Sequence, residues 1–134
     1  MKPVYAYLIA LAIFLAADFL WLGVIARSFY AERIGSLLLD QPRWGVAVLF
    51  YVIYVVGLTY FAVMPGIAAQ SWVAGARDGA LFGFFAYLTY NATNLAVMKG
   101  YDSVVALVDT GWGTLVGALT AGGATWIMTR LNLI

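Results

Sequence analysis

Four long apolar runs dominate this chain of 134 residues. They cover approximately residues 4–26, 44–64, 75–98 and 104–128. Each is close to the roughly 20 helical residues that cross about 30 Å of hydrocarbon. Inside a bilayer only helices and closed barrels satisfy every backbone polar group, and runs of this length favour helices. The sequence therefore predicts an all-α, polytopic integral membrane protein, with four transmembrane helices in one bundle that forms a single domain over residues 1–134.

Composition supports this class and excludes several kinds of chemistry. The chain is 65% hydrophobic and only 10% charged, with no cysteine and no histidine, whereas about 25% of the residues in a soluble domain are charged. Without these two residue types there is no cysteine–histidine nucleophile, no zinc site of the usual ligands and no histidine-ligated haem. We expect no cofactor and no metal site. The net charge of +1 argues against a nucleic-acid partner.

The connection between the first two runs, residues 27–43, mixes aromatic and aliphatic side chains with arginine and glutamate. Such a mixture is typical of a short amphipathic segment that lies at the membrane interface. The second run is predicted to end at Pro65 and Gly66, because proline and glycine commonly follow a helix.

Small residues recur at four-residue spacing in the third and fourth runs. The two rows are Gly75, Gly79 and Gly83, and Gly113, Gly117 and Ala121. Such rows let membrane helices approach closely. We expect the rows to pack against each other or each against a neighbouring helix.

The conspicuous polar and aromatic side chains converge on one side of the membrane when the direction of each run is followed. We call the side with both termini side A and the other side B. The ligand-binding candidates in the side-B half are Asp18, Trp21, Tyr51, Tyr54, Tyr87, Tyr90, Asn91, Asn94, Asp109 and Trp112. Four basic residues form a predicted rim: Arg27, Arg33, Arg43 and Lys99. These residues predict a one-sided polar cup that residues 27–43 would cover, above a tightly packed stem.

The two aspartates are the sharpest of these signals. Carboxyls within a membrane span usually face a bundle interior and mark a path or site for substrate, ions or protons. The structural alternative is that Asp18 and Asp109 are satisfied by nearby asparagines or tyrosines. The aromatic residues also have an alternative role as interfacial anchors. On a helix Tyr87, Asn91 and Met98 would share one face with Asn94.

Four motifs support a family resemblance. They lie within Ala17 to Gly23, Phe50 to Phe61, Tyr90 to Ala96 and Asp109 to Gly113. In these motifs the chain resembles the bacterial membrane proteins grouped as domain of unknown function 2177. At Asn91 it departs from an acidic residue that is common at this position in the family. The resemblance implies a small four-helix protein of the inner membrane and no particular activity.

Four functions remain open on the sequence alone. The first is binding of an amphipathic small molecule, such as a lipid, quinone or isoprenoid, in the cup. The second is a cofactor-free acid–base enzyme that acts on such a molecule. The third is a small proton-coupled transporter, and the fourth is an accessory subunit of a membrane complex. The expected partners are membrane lipids, an amphipathic ligand, and a second copy of the chain or a larger complex. Whether the chain is an enzyme is not decided, and the catalytic residues are unknown.

Overall fold

The computed structural model describes residues 1–132 as a bundle of helices without strands. Its α-helices are α1 (Lys2–Leu20), α2 (Arg27–Ile34), α3 (Trp44–Leu58), α4 (Met64–Ala68), α5 (Trp72–Val97) and α6 (Ser103–Arg130). The all-α prediction is therefore confirmed over this part of the chain. Residues 133–134 of the predicted domain lie outside the described residues.

Two π-helical turns lengthen the helices that cross the membrane. Trp21–Ile25 continues α1, and Thr59–Val63 joins α3 to α4. The resulting spans are Lys2–Ile25 and Trp44–Ala68, and α6 is a third long apolar helix. These three helices are long and apolar enough to cross a membrane. The short helix α2 occupies the predicted amphipathic segment and continues into a 3₁₀ turn, Gly35–Leu37.

The helix α5 is the fourth long element, with 26 residues. It is less apolar than the other three but runs antiparallel along α6 from one end to the other. Near its start Gly75 lies against Ala121 and Thr125, and near its end Asn91 contacts Asp109. Because α6 crosses the bilayer, α5 occupies the same thickness of membrane beside it.

The two rows of small residues form the contact between α5 and α6, as predicted. A Cβ atom added at Gly79 would collide with the carbonyl group of Gly117, and one added at Gly83 would collide with that of Gly113. The collision is reciprocal, since a Cβ atom at Gly117 would meet the carbonyl of Gly79. The backbones are so close that no larger residue fits at these positions.

The half of the bundle on side A is a solid stem. The helix α1 packs antiparallel on α6, with Ile13 near Gly123 at one level and Asp18 bonded to Trp112 at another. Side chains that are fully buried in the hydrophobic core are Ala6, Ala10, Phe14, Val55, Leu58, Ala62, Val63, Val116, Ala121, Ala124 and Met128. Small and branched residues from α1, α6 and the π turn Thr59–Val63 thus close this half.

The helix α3 packs differently at its two ends. Its π turn and α4 contact α5, whereas its first half leans on α1 through Tyr51 and Phe14, with ring centroids 5.6 Å apart. The outer side of α3 is exposed, including Val46, Leu49 and Ile53. On side B, space remains between α3 and the other long helices.

Two local predictions were wrong. The second span does not end at Pro65 but continues to Ala68, because the π turn restarts the hydrogen-bond pattern and puts Pro65 in the first turn of α4. Proline is tolerated there, since the first turn of a helix does not need its N–H. In α5 the helix ends at Val97 and Met98 is extended, so Met98 does not share the helical face of Tyr87.

Candidate functional site

A cavity of about 290 Å³ lies on side B between α1, α3, α5 and α6. We call it the polar cavity. The residues that line it are Asp18, Leu22, Ala47, Phe50, Tyr51, Tyr54, Ala86, Tyr87, Tyr90, Asp109 and Trp112. Seven of the ten candidates from the sequence are among them. The structure thus brings together side chains from four different helices, as the topology argument predicted.

Asp18 is held on one side of this cavity with only 5% of its surface exposed. The hydroxyl of Tyr51 donates a hydrogen bond to Asp18 Oδ2 at 2.5 Å, and Trp112 Nε1 donates to Oδ1 at 3.1 Å. The antiparallel packing of α1 on α6 brings Trp112 to this position. Each carboxyl oxygen of Asp18 therefore accepts one hydrogen bond from another helix.

Asp109 has a similar pair of donors. The hydroxyl of Tyr30 donates to Asp109 Oδ1 at 2.7 Å, and Asn91 Nδ2 donates to Oδ2 at 2.7 Å. Asn91 is oriented in turn, because its Nδ2 also donates to the carbonyl of Tyr87 at 2.9 Å and its Oδ1 accepts from Tyr101 at 2.7 Å. Burial raises the pKa of Tyr101 to about 12, so this hydroxyl keeps its proton at neutral pH and acts as a donor.

Two stacked tryptophans connect the surroundings of the two carboxyls. The ring centroids of Trp21 and Trp112 are 4.6 Å apart, and the angle between the ring planes is 6°. Trp21 Nε1 donates to the hydroxyl oxygen of Tyr30 at 3.1 Å, and Tyr30 donates onward to Asp109. Trp21 is also the first residue of a π turn, a feature that is frequent at functional sites. A continuous set of contacts therefore runs from Asp18 to Asp109.

Tyr54 also lines the polar cavity, and its side chain is buried there. It is 8% exposed and its ring packs against Phe14, Phe82 and Tyr87. Among the described residues its buried hydroxyl has no hydrogen-bond partner, although Tyr54 lines the polar cavity. Buried hydroxyls normally have a partner.

The remaining candidates from the sequence lie around the cavity or apart from it. Asn91 and Trp21 support the lining residues through the contacts above, and Asn94 is half-buried and does not line the cavity. None of the four basic residues predicted as a rim lines the polar cavity. Arg33 pairs with Asp102 at 3.2 Å, Arg27 lines a neighbouring cavity, and Arg43 and Lys99 are exposed.

The family model described as "Predicted membrane protein (DUF2177)" matches residues 3–126. The chain belongs to this family. The match covers nearly the whole chain and confirms the resemblance seen in the four motifs. No curated protein and no solved structure matches the chain.

In this DUF2177 protein a second cavity of about 460 Å³ adjoins the polar cavity. We call it the α1–α3 cavity, because it lies between these two helices. Its lining residues are Leu15, Asp18, Phe19, Leu22, Gly23, Arg27, Pro42, Trp44, Ala47 and Tyr51. Four of them, Asp18, Leu22, Ala47 and Tyr51, also line the polar cavity. The shared wall places the two cavities side by side.

The sequence analysis missed four residues that line the polar cavity, namely Leu22, Ala47, Phe50 and Ala86. It also missed two tyrosines of this DUF2177 site, Tyr30 and Tyr101. Both are in connections between spans, where a tyrosine most often serves as an interfacial anchor. The one available signal was the expectation that residues 27–43 cover the cup. Tyr30 shows that α2 does contact the site. Burial raises the pKa of Tyr30, and its hydrogen bond to Asp109 raises it further, so it stays a donor.

Tyr30→Phe is expected to loosen α2 while leaving the bundle intact. The phenylalanine ring can still pack on Trp21, but the hydroxyl is lost together with its bond to Asp109 and the bond it accepts from Trp21. A hydrogen bond to a charged group contributes about 1.5–3 kcal/mol, so backbone amides of α2 should exchange roughly 10- to 100-fold faster. Hydrogen–deuterium exchange with mass spectrometry measures this. Tyr60→Phe, at an exposed position, is the control. Equal exchange in both variants would show that Tyr30 does not hold α2.

Proposed function

We propose that this membrane protein binds an amphipathic small molecule, such as a lipid, quinone or isoprenoid, with its polar end in the polar cavity. The observation that carries the proposal is the polar cavity itself, in which two carboxyls and the buried, unpartnered hydroxyl of Tyr54 line one space. A buried hydroxyl without a partner costs about 1–3 kcal/mol. A ligand whose polar end enters the cavity would provide the missing partner. Asp18 and Asp109 line the same cavity and offer further acceptors.

The α1–α3 cavity supports an amphipathic ligand rather than a wholly polar one. Most of its lining is apolar, including Leu15, Phe19 and Trp44. Because four residues line both cavities, we propose that the apolar chain of the ligand lies in the α1–α3 cavity, beside its polar end in the polar cavity. This arrangement favours entry from side B or laterally from the bilayer, in the bacterial inner membrane where we expect the protein to reside.

The packed stem favours binding over transport by a single chain. Transporter sites commonly lie between two halves that open to opposite faces of the membrane. Below the polar cavity, however, Phe14, Leu58 and Val116 are completely buried. A cofactor-free acid–base enzyme is a second candidate, because two carboxyls line one cavity and carboxyl groups can transfer protons.

The proposal is tested by mass spectrometry of small molecules that co-purify with the protein in nanodiscs. Wild type should carry one enriched amphiphile. Asp18→Asn should reduce its occupancy about 10-fold or more, since a contact with a charged acceptor is lost. Asp78→Asn is the control, because Asp78 pairs with Arg77 near side A, away from the cavity.

Unchanged occupancy in both Asp18→Asn and Asp109→Asn would reject the binding site. Conversion of the enriched molecule to a product by wild type would favour the enzyme. Bulk lipid alone in every sample would direct the work to transport assays, and a stoichiometric protein partner would favour the accessory subunit.

A further inference from the structure

We propose that the polar cavity recognises the ammonium group of an alkylamine-like amphiphile. This inference rests on the proposed function and specifies the chemistry of the ligand's polar end. It is supported by three properties of the lining, namely its charge, its unused hydrogen-bond acceptors and its aromatic rings.

The charged residues that line the polar cavity are all acidic. The lining contains the carboxyls of Asp18 and Asp109 and, among residues 1–132, no arginine or lysine. The ion pairs in that part of the chain are Arg33 with Asp102 and Arg77 with Asp78, so neither cavity carboxyl has a basic partner. A buried carboxylate without a cation is costly. A cationic ligand would remove this cost, whereas a phosphate would be repelled.

The hydrogen bonds at the two carboxyls leave acceptor sites unused. A carboxylate has about four lone-pair sites, and each of Asp18 and Asp109 accepts one bond per oxygen from the protein. The hydroxyl oxygen of Tyr54 is a further acceptor without a partner. An alkylammonium group carries three N–H donors and no acceptor, whereas a neutral hydroxyl carries one donor and two acceptor lone pairs, to which the carboxylates cannot donate. The unused sites therefore match an ammonium group better than an alcohol.

The aromatic rings that line the polar cavity also favour a cation. Six of the lining residues are aromatic: Phe50, Tyr51, Tyr54, Tyr87, Tyr90 and Trp112. A cation close to the face of an aromatic ring is attracted by about 0.5–2 kcal/mol, and tryptophan gives the strongest attraction. Carboxyls and aromatic rings around one cavity are the surroundings that an ammonium group requires.

Two sources could supply such a group. One is a free long-chain amine, and the other is a phosphoethanolamine head group of a lipid. In the second case the phosphate would need a cation outside the polar cavity, and Arg27 lines the adjoining α1–α3 cavity together with Asp18. The experiment below includes one probe for each source.

Binding is measured by native mass spectrometry of the protein in micelles of a non-ionic maltoside. The probes share a twelve-carbon chain and differ in the polar end: dodecylammonium, dodecanol and dodecyl phosphate. We expect dodecylammonium to bind about 10-fold or more tighter than dodecanol, and dodecyl phosphate to bind most weakly. Lysophosphatidylethanolamine tests the lipid source. If it displaces dodecylammonium the group comes from a lipid, and if it does not the source is a free amine.

The variants separate this inference from the proposed function. Asp18→Asn and Asp109→Asn should abolish the preference for dodecylammonium, while Asp78→Asn keeps it. Ala86→Trp, which fills the polar cavity, should reduce binding of every probe.

If dodecanol binds as tightly as dodecylammonium and Ala86→Trp weakens both, the ammonium inference is overturned and the binding site stands. If no probe binds, or Ala86→Trp has no effect, both are overturned. Variants are compared only where their thermal unfolding matches wild type, and Tyr54→Phe replaces an aspartate variant that does not fold.

Discussion

Gly83→Ala is expected to destabilise the protein by about 1–3 kcal/mol, although it adds only one methyl group. The new Cβ atom would collide with the carbonyl group of Gly113 on the neighbouring helix. This carbonyl belongs to the helix backbone and cannot rotate away as a side chain can, so α5 and α6 would have to separate along their whole contact.

Gly111→Ala on α6 is the matched control, because a Cβ atom added there has nothing within 4 Å. Both substitutions replace glycine by alanine within a helix, which favours the helix to a similar extent at each site. The difference between them therefore isolates the packing. Unfolding in mixed micelles, followed by circular dichroism, gives the free energies. Equal stability of the two variants would contradict the close approach of α5 and α6.

Trp112→Ala is expected to cost about 3–5 kcal/mol and to remove ligand binding. Trp112 is 9% exposed, stacks on Trp21 and donates its N–H to Asp18. Its loss would leave a void at the point where α1 and α6 meet the polar cavity. It would also leave one oxygen of Asp18 without its protein donor.

Trp126→Ala is the control on the same helix, since Trp126 is 48% exposed and contacts the guanidinium of Arg130. Unfolding of both variants and their retention of the enriched amphiphile are compared. Trp112→Phe separates two causes, because phenylalanine keeps a ring against Trp21 but lacks the N–H. If Trp112→Ala were as stable as Trp126→Ala, the stacked tryptophans would have no structural role.

The sequence was sufficient to predict the architecture because bilayer physics leaves few alternatives. Apolar runs of membrane length can only be helices, and rows of glycine at four-residue spacing indicate where two helices meet. The direction of each helix follows from the order of the runs. Successive spans cross the membrane in opposite directions, and this predicted the convergence of Asp18, Tyr51, Tyr87 and Asp109 on one side.

The details of the site depend on structural features that the pattern of apolar residues along the helices does not predict. The π turns at Trp21 and Thr59 shift the helical phase, and the second one allows the span to continue past Pro65. Tyr30 reaches Asp109 only because α2 folds back over the bundle. To predict the contacts of Asn91, one would have to know which face of α5 points into the bundle. The sequence does not show this, because α5 is apolar on several faces.

The pairing of Asp18 with Trp112 has a consequence for how the protein is made. The two residues are 94 positions apart, and Tyr51, the other donor to Asp18, is 33 positions away. At about 5–20 residues per second, a ribosome needs roughly 5–20 s to proceed from Asp18 to Trp112. During that time Asp18 lacks the hydrogen-bond donor that α6 supplies. Only a chain synthesised through the Trp112 position of α6 can complete the hydrogen bonds of Asp18 in α1.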